Sequence, residues 1–361
     1  PGDALFQSCR RCQSAHPRLL IAVSPNAARY HIVHETIYSY DSPVSLSRQL
    51  LHLTPRDCAW QRCLAHQINV TPEVTAERER YDCFGNPVRE LAIEFPHDTL
   101  SVRAESTIEV LPHLPLDALA ALMGKAATNA GQARPPQPAS PHYLRASPAW
   151  ETVRDALAYG ARPVLLEASC FQFESPYVRV KREFAAYARP CFTPGRPVLE
   201  AVQALMSRIY NEFEFDPEAT TVATPVLEVL ADKRGVCQDF AHLMLSCLRS
   251  QGIAARYVSG YLLTHPPPGK PRMVGADASH AWVSVYCPGL EGGRWVDFDP
   301  TNNLLPDTQH ITLAWGRDFA DVSPLRGVIL GGDAHELDVA VTVTPVSETC
   351  DDVAALSASR P

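Results

Sequence analysis

The segment Arg234-Gly235-Val236-Cys237-Gln238-Asp239-Phe240-Ala241-His242 sets a cysteine directly after a glycine turn, at the first residues of a run with helical periodicity. Unpaired N–H groups and the positive end of a helix dipole favour an anion there. They lower a thiol's pKa from ~8.5 and raise its thiolate fraction. A thiol nucleophile also needs a base. His242 lies roughly 140° around the helix from Cys237 at 3.6 residues per turn, so it points elsewhere and the base must come from another element. Ser279-His280-Ala281-Trp282-Val283-Ser284-Val285-Tyr286 has a strand's period of two, and His280 opens it. A further strand, Trp295-Val296-Asp297-Phe298-Asp299, stops at Pro300 and carries both aspartates on one face. If these strands are antiparallel neighbours beside the helix start, a carboxylate orients the imidazole that activates the thiol. Period alone does not separate Asp297 from Asp299.

Two textures along the chain must position these groups. From Tyr30 to Leu111, short alternating runs are broken by turn formers such as Asp41-Ser42-Pro43, Thr54-Pro55-Arg56-Asp57 and Gly85-Asn86-Pro87, which predicts five or six antiparallel strands. Helical spacing follows over Pro197 to Phe213, and again from Cys237 to Ser250, where Phe240, Leu243, Met244, Cys247 and Leu248 share a stripe and Gly252 supplies the stop. Strand-like runs at 255–263, 280–286 and 295–299 come next. The expected division is a loosely ordered extension at 1–28, an N-terminal β domain at 29–125, a Pro/Ala-rich linker or loop at 126–148, a catalytic core at 149–345 and a tail at 346–361. The fold class is α+β.

Composition narrows the partners. The 361 residues carry 32 Lys and Arg against 40 Asp and Glu, a net charge of −8, which argues against the electrostatic grip that general nucleic-acid binding needs. No run approaches the ~20 apolar residues of a membrane-spanning helix. The 11 cysteines are scattered and odd in number, and no secretory apolar region stands at the start. Reduced thiols in a cytoplasmic enzyme are expected.

Gly235 through His242, Arg256-Tyr257-Val258-Ser259-Gly260-Tyr261, Ser279-His280-Ala281-Trp282 and Trp295 through Asp299-Pro300-Thr301-Asn302 resemble the bacterial transglutaminase-like proteins of the papain-like cysteine enzyme superfamily. The resemblance reaches the front of the chain. Tyr30-His31-Ile32, Tyr38-Ser39-Tyr40-Asp41 and Asp82 with Phe84-Gly85-Asn86 are similar to the β domain that precedes the family's core, so roughly 29–125 and 165–345 are covered. It implies a papain-like core with a catalytic helix on an antiparallel sheet, Cys237 as nucleophile, His280 as base and Asp299 as orienting carboxylate. Asp299 is preferred over Asp297 because the family's acid stands four residues after the tryptophan and just before Pro-Thr. The chemistry implied is acyl transfer through a Cys thioester on amide or isopeptide bonds of peptides or proteins, without a cofactor. Hydrolysis is slightly favoured over transfer to an amine acceptor.

Blander readings compete at several positions. Cys247, on the apolar stripe, is a core residue, and His242 is a packing residue. Cys9-x2-Cys12 with His16, and Cys58, Cys63, His66 and Cys83, have ligand-like spacing but no matching second pair, so neither is read as a metal site. Gly331-Gly332-Asp333 lacks the lysine and spacing of a phosphate-binding loop. The alternative to an enzyme is a non-catalytic binding or scaffolding module on the same fold.

Overall fold

The computed structural model describes residues 27–112, 142–158, 165–264, 279–288 and 293–346. The expected extension at 1–28 and the tail at 346–361 lie almost wholly outside the described residues; of the expected linker at 126–148 only 142–148 are described, and there His142–Arg145 form a short helix where a loop was expected. Strand β1 (Ala28–Leu51) is longer than the sequence suggests. Asp41-Ser42-Pro43 does not turn the chain back. The strand bends there through an irregularity, and its register against a later strand shifts between Ser39 and Val44. Pro43 has no N–H to give a ladder, and a bulge is where a sheet tolerates that. Strands β2 (Gln61–Thr71), β3 (Ala76–Tyr81), β4 (Pro87–Ile93) and β5 (His97–Val110) complete an antiparallel sheet in the order β2-β5-β1-β4-β3. Inward alternation is sharpest along β5, where Leu100, Val102, Ala104, Ile108 and Val110 are all buried.

Helices dominate the middle of the chain: α1 (His142–Arg145), α2 (Trp150–Ala156), α3 (Leu166–Ser169), α4 (Arg182–Ala188), α5 (Val198–Glu212), α6 (Val226–Asp232) and α7 (Cys237–Ser250). A two-residue parallel pair, β6 (Glu214–Phe215) with β7 (Arg234–Gly235), leads into α7. Four antiparallel strands follow, in the order β10-β9-β8-β11: β8 (Ala255–Leu262), β9 (Ser279–Cys287), β10 (Arg294–Phe298) and β11 (His310–Gly316). Helix α7 lies on this sheet, with α4, α5 and α6 against its other sides. Asp239 through Arg249 are therefore all buried, not only the stripe read from the sequence.

After the short helix α8 (Phe319–Val322), the chain returns to the front sheet. Strands β12 (Leu325–Gly331) and β13 (His335–Pro345) pair with the two halves of β1. The expectation that the catalytic core extends to residue 345 is corrected here: 325–345 belong to the front sheet, because each half of the bent β1 offers an edge to be covered. Gly331, Gly332 and Asp333, all at positive φ, form the turn between these two strands.

The two sheets share a core. Tyr30, Ile32, Ile108 and Val110 of the front sheet, with Val341 and Val343, pack against Tyr261, Leu263, Ile311 and Leu313 of the core sheet. Polar contacts extend this seam. Strand β11 is an edge strand, and side-chain amides from the front domain satisfy its outer backbone groups. Gln61 exchanges two hydrogen bonds of 2.7 Å with the Thr312 N–H and C=O. Asn86 Nδ2 donates to the Trp315 carbonyl at 2.8 Å, and Asn86 Oδ1 accepts from the Trp315 N–H at 3.0 Å. The Trp315 ring has the guanidinium carbons of Arg56 and Arg256 at 3.1 and 3.6 Å from its centre. No helix among the described residues is long and apolar enough to cross a membrane.

Candidate active site

Helix α7 begins where Asp239, in its first turn, reaches back to accept the Val236 N–H at 2.9 Å. Thr220 donates to the same Oδ2 at 2.6 Å. Burial raises the Asp239 pKa against these two bonds. Gly235 is required by the close approach of this carboxylate, because a Cβ there would sit 2.6 Å from Oδ2. Cys237 is the first residue of the helix and half-buried. As groups of the first turn, the N–H of Cys237 and of Gln238 have no intrahelical acceptor.

His280, at the second position of β9 and 8% exposed, comes to Cys237 from the sheet. Its ring interacts with the Cys237 side chain. Its Nε2 donates to Asp299 Oδ2 at 2.8 Å, which leaves Nδ1 for the thiol. Burial alone would lower the His280 pKa. The hydrogen bonds to Asp299 and Cys237, with the charges of both, outweigh it and raise the pKa to about 10.

Asp299 follows the end of β10 and is completely buried. The Pro300-Thr301-Asn302-Asn303 loop folds around it. Oδ1 accepts the N–H groups of Thr301 at 2.9 Å and Asn302 at 3.2 Å, and Asn303 takes a left-handed φ of 53° to close the loop. Ser207 of α5 anchors Asn303 at 2.8 Å. Oδ2 accepts from Asn302 Nδ2 at 2.7 Å and from His310 Nε2 at 3.1 Å besides His280. Burial would raise the Asp299 pKa, but the bonds from His280 and His310 hold it well below the usual carboxylate range.

Cys237, His280 and Asp299 are thus brought together. Asp297 is not part of the chain: its Oδ2 accepts from Trp282 Nε1 at 3.0 Å. Trp282 reaches that position because it crosses Gly260, where a Cβ would lie 2.5 Å from the ring. His242 is wholly buried behind Cys237, its pKa pushed down to about 3 by burial and by Arg249. It stacks on Tyr177 with ring centres 5.3 Å apart and accepts the Phe319 N–H at 3.2 Å, a packing role. Cys247 is core, with no exposure. Sequence reasoning missed Asn302 and His310 as partners of Asp299. Asn302 lies in the quoted Pro-Thr-Asn run, whereas nothing in the sequence around His310 says which way its side chain points.

Cys58, Cys63, His66 and Cys83 do not gather into one ligand set among the described residues, and Cys9, Cys12 and His16 lie outside them. One set of three does converge. His280, Asp299 and His310 present ligand-type atoms within 4.8 Å of one another, but those atoms are engaged in the hydrogen bonds just given. The arrangement can form an anionic sulfur beside an imidazolium, with a carboxylate fixing the ring.

Comparison with known proteins shows the family. Residues 30–109 match the bacterial transglutaminase-like N-terminal region, and 185–300 match the transglutaminase-like superfamily. An uncharacterized protein of Mycobacterium tuberculosis is 38% identical over 319 residues, covering 88% of this chain and 93% of that one. A protein-glutamine gamma-glutamyltransferase of Pseudomonas aeruginosa is 35% identical over 139 residues, 34% of this chain and 20% of its own. A Cytophaga hutchinsonii structure provisionally described as a cysteine protease superposes with a TM-score of 0.63 at 20% identity, covering 90% of this chain and 92% of that one. That last likeness concerns the fold alone.

Proposed function

Because the chain belongs to the transglutaminase-like superfamily, with that superfamily's N-terminal region in front of its core, we propose that it is a thiol acyl-transfer enzyme acting on amide or isopeptide bonds of peptides or proteins. Cys237 is the nucleophile, His280 the general base and acid, and Asp299 the orienting carboxylate. The observation that carries this reading is the convergence of Cys237, at the start of α7, with His280, whose ring is held at 2.8 Å by a fully buried Asp299.

The Cys237 thiolate attacks the amide carbonyl, forming a C–S bond and an oxyanion. The oxyanion faces the first-turn N–H groups of α7, where such a donor contributes ~3 kcal/mol in related chemistry. Collapse breaks the C–N bond, His280 Nδ1 gives its proton to the departing amine, and a thioester remains on Cys237. His280 Nε2–H stays on Asp299 throughout, so the ring keeps the tautomer that points Nδ1 at the sulfur. Water, activated by the same imidazole, then releases the acid. Hydrolysis is favoured because water stands at ~55 M in any site that does not exclude it. Transfer to a primary amine is the second reading, suggested by the likeness to the Pseudomonas gamma-glutamyltransferase.

The cytoplasm is the proposed location, since a thiolate nucleophile needs a reducing compartment to escape oxidation. Incubating the protein with a peptide library, with and without a primary amine, tests the reading. Turnover is expected from the wild type and none from Cys237→Ala, and the added mass of the amine in product separates transfer from hydrolysis. Full activity in Cys237→Ala would sink the assignment.

A further inference from the structure

Asp299 serves two imidazoles. Its Oδ2 receives His280 Nε2 at 2.8 Å, His310 Nε2 at 3.1 Å and Asn302 Nδ2 at 2.7 Å, while Oδ1 receives two backbone N–H groups. A carboxylate offers about four lone-pair positions. Five donors saturate it, so the group has no room for a proton of its own. His310 is 2% exposed, and its Nδ1 is buried without a hydrogen-bond partner. The nitrogen that faces a carboxylate carries the proton, and a buried N–H without an acceptor is costly. His310 therefore holds its proton on Nε2 and leaves Nδ1 as a bare lone pair. It is a donor to Asp299 and not a second base.

Its place is built with some care. His310 opens β11, and its ring meets Trp282 edge-on with centres 5.2 Å apart, while the Trp282 indole is itself tied to Asp297. Strand β11 is held from outside by Gln61 and Asn86 of the front domain. The terminal torsion of an aspartate is broad and soft. Backbone N–H groups fix Oδ1, and His310 presses on Oδ2 from a side that His280 does not occupy.

We propose that His310 is a positioning residue for the reaction above: it fixes the rotation of Asp299 so that Oδ2 holds the His280 ring against Cys237. This rests on the Cys237–His280–Asp299 reading. It also gives the front domain a path to the site, through β11, without any contact with substrate.

The test uses the full chain and iodoacetamide, with alkylation of Cys237 followed by peptide mass spectrometry from pH 5 to 10. The titratable groups facing His310 are Asp299 and His280, so the profile reports on them. In the wild type, Cys237 is expected to outpace the other thiols at pH 6. His310→Leu is expected to slow that reaction about tenfold or more, the usual reach of a residue that orients another, while leaving the rate at pH 10 within about twofold. His310→Gln, which can place an amide N–H near the same oxygen, restores most of the pH 6 rate. An unchanged profile in a folded His310→Leu overturns the proposal, whereas a wild-type Cys237 no faster than other thiols overturns the triad reading itself. Should the leucine variant fail to fold, nitrogen-15 histidine spectra of the wild type decide: a proton on His310 Nε2 is expected, and one on Nδ1 overturns the proposal.

Discussion

Asp297 and Asp299 show how much a single residue's surroundings decide. They stand two apart, Asp297 in β10 and Asp299 just past its end, yet one accepts a tryptophan N–H and the other collects two histidines, an asparagine and two backbone donors. Periodicity could not tell them apart, because a period of two puts positions 297 and 299 on one side, and only the family resemblance pointed to Asp299. Replacing Asp299 by Asn, which lets the wrong ring nitrogen of His280 carry the proton, is expected to lower kcat/KM on the order of 10²- to 10⁴-fold. Asp297→Asn keeps an acceptor for Trp282 and is expected to cost less than about tenfold; equal losses in the two variants would contradict the assignment. The pH dependence has a definite sign. His280 is raised to about 10, so the stabilisation from its imidazolium is complete below its ordinary value of ~6.5 and is lost as pH rises through about 10. Asp299 is lowered, so its contribution is present above the ordinary carboxylate range and fades as pH falls below it. The alkaline limb of kcat/KM in the wild type is expected near pH 10, and a limb near 6.5 would mean that the ion pair does not form.

Helix α7 and its sheet were the most legible elements. A glycine before Cys237, a glycine after Ser250 and an apolar stripe between them predicted a helix over Cys237–Ser250, and α7 has those bounds. Burial on all its sides was not legible, because the residues off the stripe are covered by α4, α5 and α6, whose placement depends on tertiary packing. Leu243→Ala in this helix is expected to cost about 2–5 kcal/mol in urea unfolding. Gly260 was quoted only as part of a motif, but its physical reason is space. An added Cβ would meet the Ile311 carbonyl oxygen at 2.1 Å and the Trp282 ring at 2.5 Å. Backbone cannot yield as a flexible side chain can, so Gly260→Ala is expected to lose at least about 1–3 kcal/mol and to slow Cys237 alkylation by tilting Trp282 and His280. Wild-type stability in that variant would show that β8 and β9 have slack which the packing does not suggest.

For the whole molecule, an N-terminal β sheet before an α+β core was legible, but the return of the chain to the first sheet was not. Strand β13 alternates through Leu337, Val339, Val341 and Val343 and β12 is a short run around Val328-Ile329-Leu330, but the partner of both lies some three hundred residues earlier, a pairing that local pattern cannot specify. That return, the shared apolar seam and the amide clamps on β11 make the two sheets one mechanical unit. Unfolding in urea is therefore expected as a single transition, coincident by near- and far-ultraviolet circular dichroism, and two separated steps would contradict the shared core. Gln61→Leu leaves both the N–H and the C=O of Thr312 without their partner, at about 1–3 kcal/mol for each buried group. Its effect should reach the active site through β11 as slower alkylation of Cys237, although Gln61 touches no residue of the Cys237–His280–Asp299 chain.

The central claim is that Cys237 carries the acyl group. The burial that pushes the thiols of Cys58 and Cys63 up to about 11 makes them poor competitors for it near neutral pH. Intact-mass and peptide spectrometry after rapid acid quench of the protein with an activated acyl ester measures this directly. The account predicts one acyl group per chain, located on Cys237, discharged by water or amine in the wild type and retained in His280→Ala when Cys237 is acylated chemically. Acylation spread over several cysteines, or an acyl group on Cys237 that neither water nor amine discharges in the wild type, would contradict it.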